Sequence, residues 1–229
     1  MHKHTLIRLF LVCLLLASSI QASADDTKVK AIVDSATNSA NTFAIDPNMK
    51  WFRDNMGNAK GVFIIPQLIK GGFIWGGSGG SGVLLVKGEG NIWSNPAFYT
   101  MGSGTFGFQI GVEVSEIILM IMTDKGVDAL LTSSFKVGGD ISIAAGPIGA
   151  GAKAQVADIL AFSRTKGAYG GINIEGAVIK IRKGYNNDYY GEAATPRSIL
   201  IERSATNPHA DNLRTAVANL AAISSSTTK

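Results

Sequence analysis

The sequence is nearly free of the side chains on which most catalytic and metal sites depend. Its 229 residues include one cysteine, at position 13, and three histidines. Disulfide scaffolds, cysteine-rich zinc sites, haem-attachment motifs and redox cysteine pairs all need more of these residues than the chain has. We therefore expect a non-enzymatic protein with no catalytic residues, no metal site and no cofactor.

Long apolar runs and high charge are also missing. Charged residues are 17% of the chain and hydrophobic residues 46%, a balance that excludes intrinsic disorder. The longest apolar run, residues 9–20, is too short to span a hydrocarbon core about 30 Å thick. It follows Lys3 and Arg8 and precedes Ala22-Ser23-Ala24, which is the order of a secretory signal peptide. We predict cleavage before Asp25 and export, with the periplasm favoured over secretion.

Glycine is the residue in excess, and its distribution predicts the architecture. Of 27 glycines, 23 lie between Gly71 and Gly176, and the flanking segments are glycine-poor with helical periodicity. Apolar and polar residues alternate over Phe106–Val114 as in a half-buried strand. The apolar positions after Ile172 change phase beyond Gly176, which indicates a β-bulge. We expect an α+β fold with a strongly curved or barrel-like antiparallel sheet, flanked by N-terminal helices and one C-terminal helix.

Shorter patterns predict individual elements. Asp46-Pro47 combines an N-cap residue with proline at the first helical position. Val62–Ile65 is a short apolar segment that we expect Pro66 to end, and Asn207-Pro208 opens the last helix. A helix is predicted at Asp124–Leu131, and strands at Val83–Lys87, Asn91–Tyr99, Ile117–Thr123, Ile141–Ala145 and Ile159–Arg164.

The chain shows no convincing internal repeat and no interdomain linker. We therefore expect the helices and the β region to form one domain. The predicted boundaries are 1–24 for the signal peptide, 25–60 for an amphipathic helical segment, 61–203 for the glycine-rich β region, and 204–229 for the C-terminal helix and tail.

Two motifs suggest chemistry that their context argues against. Gly77–Gly82 matches the dinucleotide-binding pattern G-x-G-x-x-G, but that pattern must lead into a helix, and a strand-like segment follows. Glu116 interrupts an apolar alternation, so it is a candidate buried carboxylate at a bulge or beside a cavity. A catalytic role for Glu116 would require it to be buried and unpaired beside a pocket, and a salt bridge would argue against that role.

Two basic segments carry the candidate binding residues. One lies beside three tyrosines, and basic residues next to aromatic rings suit phosphate-bearing ligands, although a solvated strand end with a tyrosine-rich turn is an equally good interpretation. The other lies in the N-terminal segment, whose even charge balance favours helices that only pack on the sheet. The candidates are Lys180, Arg182 and Lys183 in the first segment, and Lys28, Lys30, Lys50, Trp51, Phe52, Arg53 and Lys60 in the second.

A nucleic-acid partner is not expected. The formal charge of +4 falls to +2 once Lys3 and Arg8 leave with the signal peptide. Binding to nucleic acid depends on the neutralisation of many phosphates, which so small a net charge does not favour.

A series of ordered landmarks over about 130 residues carries a family resemblance. They are Lys70–Trp75, Gly79–Val83, Trp93–Pro96, Gly107–Glu113, Gly138–Ser142, Ala144–Gly149, Phe162–Gly167, Gly170–Gly176 and Tyr189–Gly191. With these landmarks the segment from about Gly61 to Gly191 resembles the SYLF domain family, a lipid-binding domain also found in yeast actin-patch proteins.

The resemblance implies binding of phospholipids, including phosphoinositides, and of actin in some eukaryotic members, without enzymatic activity. Many members carry an arginine where this chain has Ala150-Gly151, and Ser-Gly-Arg where it has Gly76-Gly77-Ser78. Export would also separate the chain from cytosolic actin, which is therefore not expected as a partner. The resulting expectation is an exported, non-catalytic module that contacts phospholipid headgroups or a membrane surface. The alternative is a structural or protein-interaction module of the cell envelope without a lipid ligand.

Overall fold

The N-terminal helices follow the predicted apolar periodicity. In a computed structural model of the protein, the described residues are 26–72, 75–106, 111–139, 141–146, 156–165, 168–170, 174–191 and 193–226. Helix α1 covers residues 26–45 and buries apolar side chains from Val29 to Phe43 at helical spacing. The Asp46 side chain accepts a hydrogen bond of 2.9 Å from the backbone N–H of Asn48, and Pro47 opens the next turn. The predicted cap is thereby confirmed.

The remaining helices are short, apart from the last. Helix α2 is Lys50–Asn55, α3 is Asp124–Leu130, α4 is Lys183–Tyr190, α5 is Pro196–Leu200 and α6 is Asp211–Ser226. Within the described ranges, 3₁₀ turns lie at Pro47–Met49, Met56–Asn58, Glu89–Asn91 and Pro208–Ala210. The predicted α3 and α6 are confirmed. No helix among the described residues is long and apolar enough to cross a membrane.

The described strands form one curled sheet. They are β1 (Gly61–Gly72), β2 (Trp75–Val86), β3 (Ala97–Phe106), β4 (Gly111–Ile121), β5 (Ser134–Lys136), β6 (Ile143–Ala145), β7 (Ile159–Thr165), β8 (Ala168–Gly170) and β9 (Val178–Ile181). Their order is β5-β9-β3-β2-β1-β4-β7-β6, and β8 also pairs with β7. Only residues 137–142 separate β5 from β6, the two ends of this order. So short a connection requires the sheet to curl, which confirms the predicted fold class, although β6 and β7 pair in parallel.

Apolar cores cover both faces of the central strands. Val62 and Ile64 point to the helix face, which packs against α1, α2 and α6, whereas Phe63 and Ile65 point to the opposite face. This arrangement explains the unbroken apolar run Ile117–Met122, since a strand buried on both sides has no polar face. Each fully buried aliphatic side chain contributes about 1.5–3 kcal/mol to folding.

The first strand continues through Pro66, whereas the sequence predicted that this proline would end it. Strand β1 continues past Pro66 to Gly72, and its register with β4 shifts between Ile65 and Leu68. A bulge at this point accommodates a residue that has no N–H to donate to a neighbouring strand. The bulge shifts the alternation by one residue, so that Leu68 lies on the same face as Phe63 and Ile65.

Three further predictions need correction. The alternating segment Phe106–Val114 belongs to two strands, since β3 ends at Phe106 and β4 begins at Gly111, with 107–110 outside the described residues. Gly176, with φ +82°, lies in a turn rather than a bulge, where Ala177 N–H donates to the Ile174 carbonyl at 3.0 Å. The tyrosine-rich turn that one of the two interpretations of this segment assumed is helix α4.

Glycine within β2 permits close contact with β1. A Cβ on Gly80 would lie 2.6 Å from the carbonyl oxygen of Gln67, and one on Gly82 would clash with that of Ile64. The motif Gly77–Gly82 therefore lies inside a strand. These glycines serve strand packing at the bulge, in agreement with the argument against a nucleotide site.

Candidate ligand-binding site

Residues from the two predicted basic segments meet at Tyr185. The guanidinium carbon of Arg182 lies 4.0 Å from the centre of the Tyr185 ring, and the Lys28 ammonium lies 5.4 Å from it. Lys180 and Lys183 flank Arg182 in sequence and are exposed. We call Lys28, Lys180, Arg182, Lys183 and Tyr185 the Tyr185 cluster.

The tyrosine is a fixed platform for these cations. Tyr185 is 8% exposed and packs edge-on against Phe98, with ring centres 6.2 Å apart. Cation–π contacts made by cations that remain in contact with solvent contribute about 0.5–1 kcal/mol each. Among the described residues, Lys28, Lys180, Arg182 and Lys183 form no ion pair. The cluster therefore presents four positive charges, and no carboxylate of the described residues forms an ion pair with any of them.

The other predicted cations are engaged elsewhere. Lys30 pairs with Asp26 at 2.7 Å, Lys50 with Asp54 at 2.5 Å and Lys60 with Asp124 at 3.5 Å. The Arg53 guanidinium donates to the backbone carbonyl of Asp46. Exposed pairs of this kind contribute about 0–1 kcal/mol to stability, but they neutralise the charge that an anionic ligand would meet.

The aromatic residues of α2 pack into the protein. Phe52 is fully buried, and its ring lies 5.0 Å edge-on from that of Phe162. Trp51 stacks on the other side of this contact, 6.1 Å from the Phe162 ring. Phe52 is thus a core residue in this conformation, and α2 lies over β7 rather than beside the Tyr185 cluster.

Glu116 is paired, contrary to its proposed catalytic role. Its carboxylate accepts from Arg164 Nη1 at 2.9 Å and from the Ser39 hydroxyl at 3.1 Å. The contacts link β4 to β7 and to α1, so Glu116 connects the helices to the sheet. A salt-bridged carboxylate is a poor general base, which argues against the catalytic site considered from the sequence.

The described residues contain no group of three or more histidine, cysteine, aspartate or glutamate side chains that could hold a metal ion. His209 instead joins Tyr189 to Asp34. Its Nδ1 lies 3.0 Å from the Tyr189 hydroxyl, and its Nε2 lies 3.3 Å from an Asp34 oxygen. The Asn207-Pro208 pair predicted a helix start at His209. The neighbouring residues gave no indication that His209 would contact Tyr189 of α4 and Asp34 of α1.

Comparison with known sequences identifies the class of protein. Residues 102–220 match the family described as "Ysc84: Las17-binding protein actin regulator". The chain belongs to this family, which confirms the predicted resemblance. The description is that of a binding domain rather than of an enzyme.

Individual relatives come from yeast and mammals. The chain is 32% identical over 168 residues to LAS seventeen-binding protein 3 of Saccharomyces cerevisiae, which covers 70% of this chain and 36% of the relative. It is 32% identical over 163 residues to Protein YSC84 of the same organism, covering 68% and 35%. It is 28% identical over 161 residues to human SH3 domain-containing YSC84-like protein 1, covering 68% and 47%. The chain thus matches about a third to a half of the length of these relatives.

Proposed function

We propose that the chain is a non-catalytic binding protein that contacts the headgroups of anionic phospholipids through the Tyr185 cluster. The observation that carries the proposal is the convergence of Lys28 and Arg182, distant in sequence, on one buried tyrosine ring. An arginine held on a rigid ring presents its planar donor groups to phosphate oxygens at a low entropy cost. The predicted export, to the periplasm in the first instance, is part of the proposal, and the membrane would then be one of the cell envelope.

Vesicle flotation tests the proposal. Each lysine or arginine near an anionic surface contributes about 1 kcal/mol to binding. The double variant K28Q/R182Q should therefore have a partition coefficient about thirtyfold lower than the wild-type chain on vesicles that contain phosphatidylglycerol. The control K50Q/K60Q removes the same charge from cations that already have carboxylate partners.

The two variants distinguish binding through the Tyr185 cluster from attraction by net charge alone. The proposal predicts that K50Q/K60Q keeps most of the wild-type affinity, since its substituted lysines lie in neutralised pairs. Equal losses in the two variants would mean that only net charge matters. Failure of the wild-type chain to float with any vesicle would overturn lipid binding altogether.

The names of the relatives support a second candidate, a protein-interaction module without a lipid ligand. The yeast relative is named as a Las17-binding protein, and the family description includes actin regulation. The expectation that actin is not a partner therefore rests on predicted export alone. Crosslinking followed by recovery from envelope extracts, together with co-sedimentation with actin filaments, tests this candidate directly.

A further inference from the structure

Beyond the helices, the helix face continues as a surface of glycine and β-branched residues. The strand register aligns one residue from each of five neighbouring strands in a row: Val178, Gly102, Gly79, Ile69 and Val114. One level further out, Gly104, Gly77, Gly71 and Val112 are aligned in the same way. Alternation along the strands places all nine on the helix face, and strand spacing gives the first row a width of about 19 Å. We call these nine positions the glycine face.

The glycine face is apolar and open. Val112 is 77% exposed, Ile69 50% and Val178 45%. Among the residues that the structure describes, a Cβ placed on Gly104 would meet no atom within 4 Å. None of the nine positions carries a charge, and exposed apolar surface that is grouped in this way is typical of a contact site.

Lys180 of the Tyr185 cluster lies at the border of the glycine face, and Arg182 lies further toward the helices, where its backbone N–H donates to the Phe98 carbonyl. Lys180 follows Val178 on the same side of β9, about 7 Å further along the strand, and Arg182 follows in turn. At the opposite border the Glu116–Arg164 pair is polar but neutral. The surface therefore combines an uncharged apolar area with unpaired positive charge along one side, which is the arrangement that suits an anionic lipid interface.

We propose that the glycine face enters the interfacial region of an anionic phospholipid bilayer, beside the headgroups that the Tyr185 cluster contacts. This rests on the proposed function and adds the surface that meets the acyl chains. The backbone groups of Ile69, Gly79 and Gly102 are paired with strands on both sides, so these central positions would bring no unsatisfied N–H or carbonyl into the lipid. The glycines have no side chains that project from the sheet, while Ile69, Val112 and Val178 supply the apolar side chains.

A site-specific fluorophore tests the proposal in the chain that begins at Asp25. Cys13, the one cysteine of the sequence, leaves with the predicted signal peptide, so a single nitrobenzoxadiazole label can be attached at V112C or, as a control, at I92C. Ile92 is 55% exposed but lies on the loop before β3, away from the glycine face. On phosphatidylglycerol vesicles the label at position 112 should shift to shorter wavelength and gain intensity, while the label at position 92 should not.

An unlabelled pair gives the corresponding binding constants. V112N removes apolar area without a change in charge and should lower the partition coefficient about fivefold, whereas I92N should leave it unchanged. Flotation of the wild-type chain with an unresponsive label at position 112 would overturn this inference and leave the proposed function standing. No flotation would overturn both. A response at position 112 that needs no vesicles and rises with protein concentration would assign the face to a second copy of the chain instead.

Discussion

The two ends of strands β1 and β2 are paired in the same way but built from different side chains. At the covered end, Gly61–Ile64 pair with Val83–Val86, and both faces are buried. At the open end, Ile69–Gly72 pair with residues 76–79, and the surface is mostly glycine with the exposed side chain of Ile69. The ladder between β1 and β2 is interrupted between Ile64 and Ile69 and resumes beyond the bulge. The difference indicates that the covered end supplies stability and holds the Tyr185 cluster against Phe98, while the open end leaves the glycine face available for contact.

The largest expected effect is the loss of an aromatic ring from the covered end. Phe162 is fully buried between Trp51 and Phe52, so F162A should lower the free energy of unfolding by about 3–5 kcal/mol. At the open end, I69A should cost about 1 kcal/mol or less. Urea denaturation measures both. Similar losses for the two variants would contradict the division of the sheet into a stabilising and a binding end.

Glycine-to-alanine substitutions should change stability differently at the two ends. A Cβ on Gly82 would press on the Ile64 backbone and on two side chains, whereas one on Gly104 would touch nothing. G82A should therefore destabilise the protein by about 1–3 kcal/mol, and G104A should change its stability by no more than about 0.5 kcal/mol. Thermal unfolding of the pair tests this, and a neutral G82A would show that β1 moves freely away from β2.

Buried tyrosines should make the stability of the covered end fall at high pH. Burial raises the pKa of Tyr99, Tyr189 and Tyr190 above the ordinary value near 10. Because the unfolded chain releases these protons first, stability is complete below about pH 10 and falls above it by about 1.4 kcal/mol per pH unit for each tyrosine. Y99F should reduce that slope in urea titrations between pH 9 and about 11. An unchanged slope would mean that Tyr99 ionises equally in both states.

The smallest effect is expected at the boundary between the two ends. Glu116 and Arg164 are each about 30% exposed, so E116Q should cost about 1 kcal/mol in urea denaturation. The matched variant E113Q changes a carboxylate three residues away that accepts hydrogen bonds only from Ser115 and Thr165 among its described contacts. A larger loss in E113Q would contradict the role assigned to Glu116 in joining α1 to the sheet.

Local periodicity was sufficient to predict the regular elements of the covered end. The apolar spacing in α1 and α6, and the runs within β2, β4 and β7, appear in the structure because each depends on neighbours three, four or two residues away. The same reasoning missed helix α4, where tyrosine and asparagine are weak helix formers, and it placed a strand end at Pro66.

The candidate site was predictable only in part. The basic segments were identified from charge and aromatic content, but the meeting of Lys28 with Tyr185 depends on tertiary packing between α1 and α4. The pairing of Glu116 with Arg164 likewise depends on the register between β4 and β7. The glycine face was invisible in the sequence because its residues come from five strands, and only register aligns them.

The most direct test of membrane binding at the open end compares flotation of the wild-type chain with two kinds of vesicle. At low salt, the account predicts recovery with vesicles that contain phosphatidylglycerol and little recovery with phosphatidylcholine alone. Added salt should weaken the anionic case, because screening shortens the reach of Lys28, Lys180 and Arg182. Equal recovery with both vesicles, or none with either, would contradict the central claim.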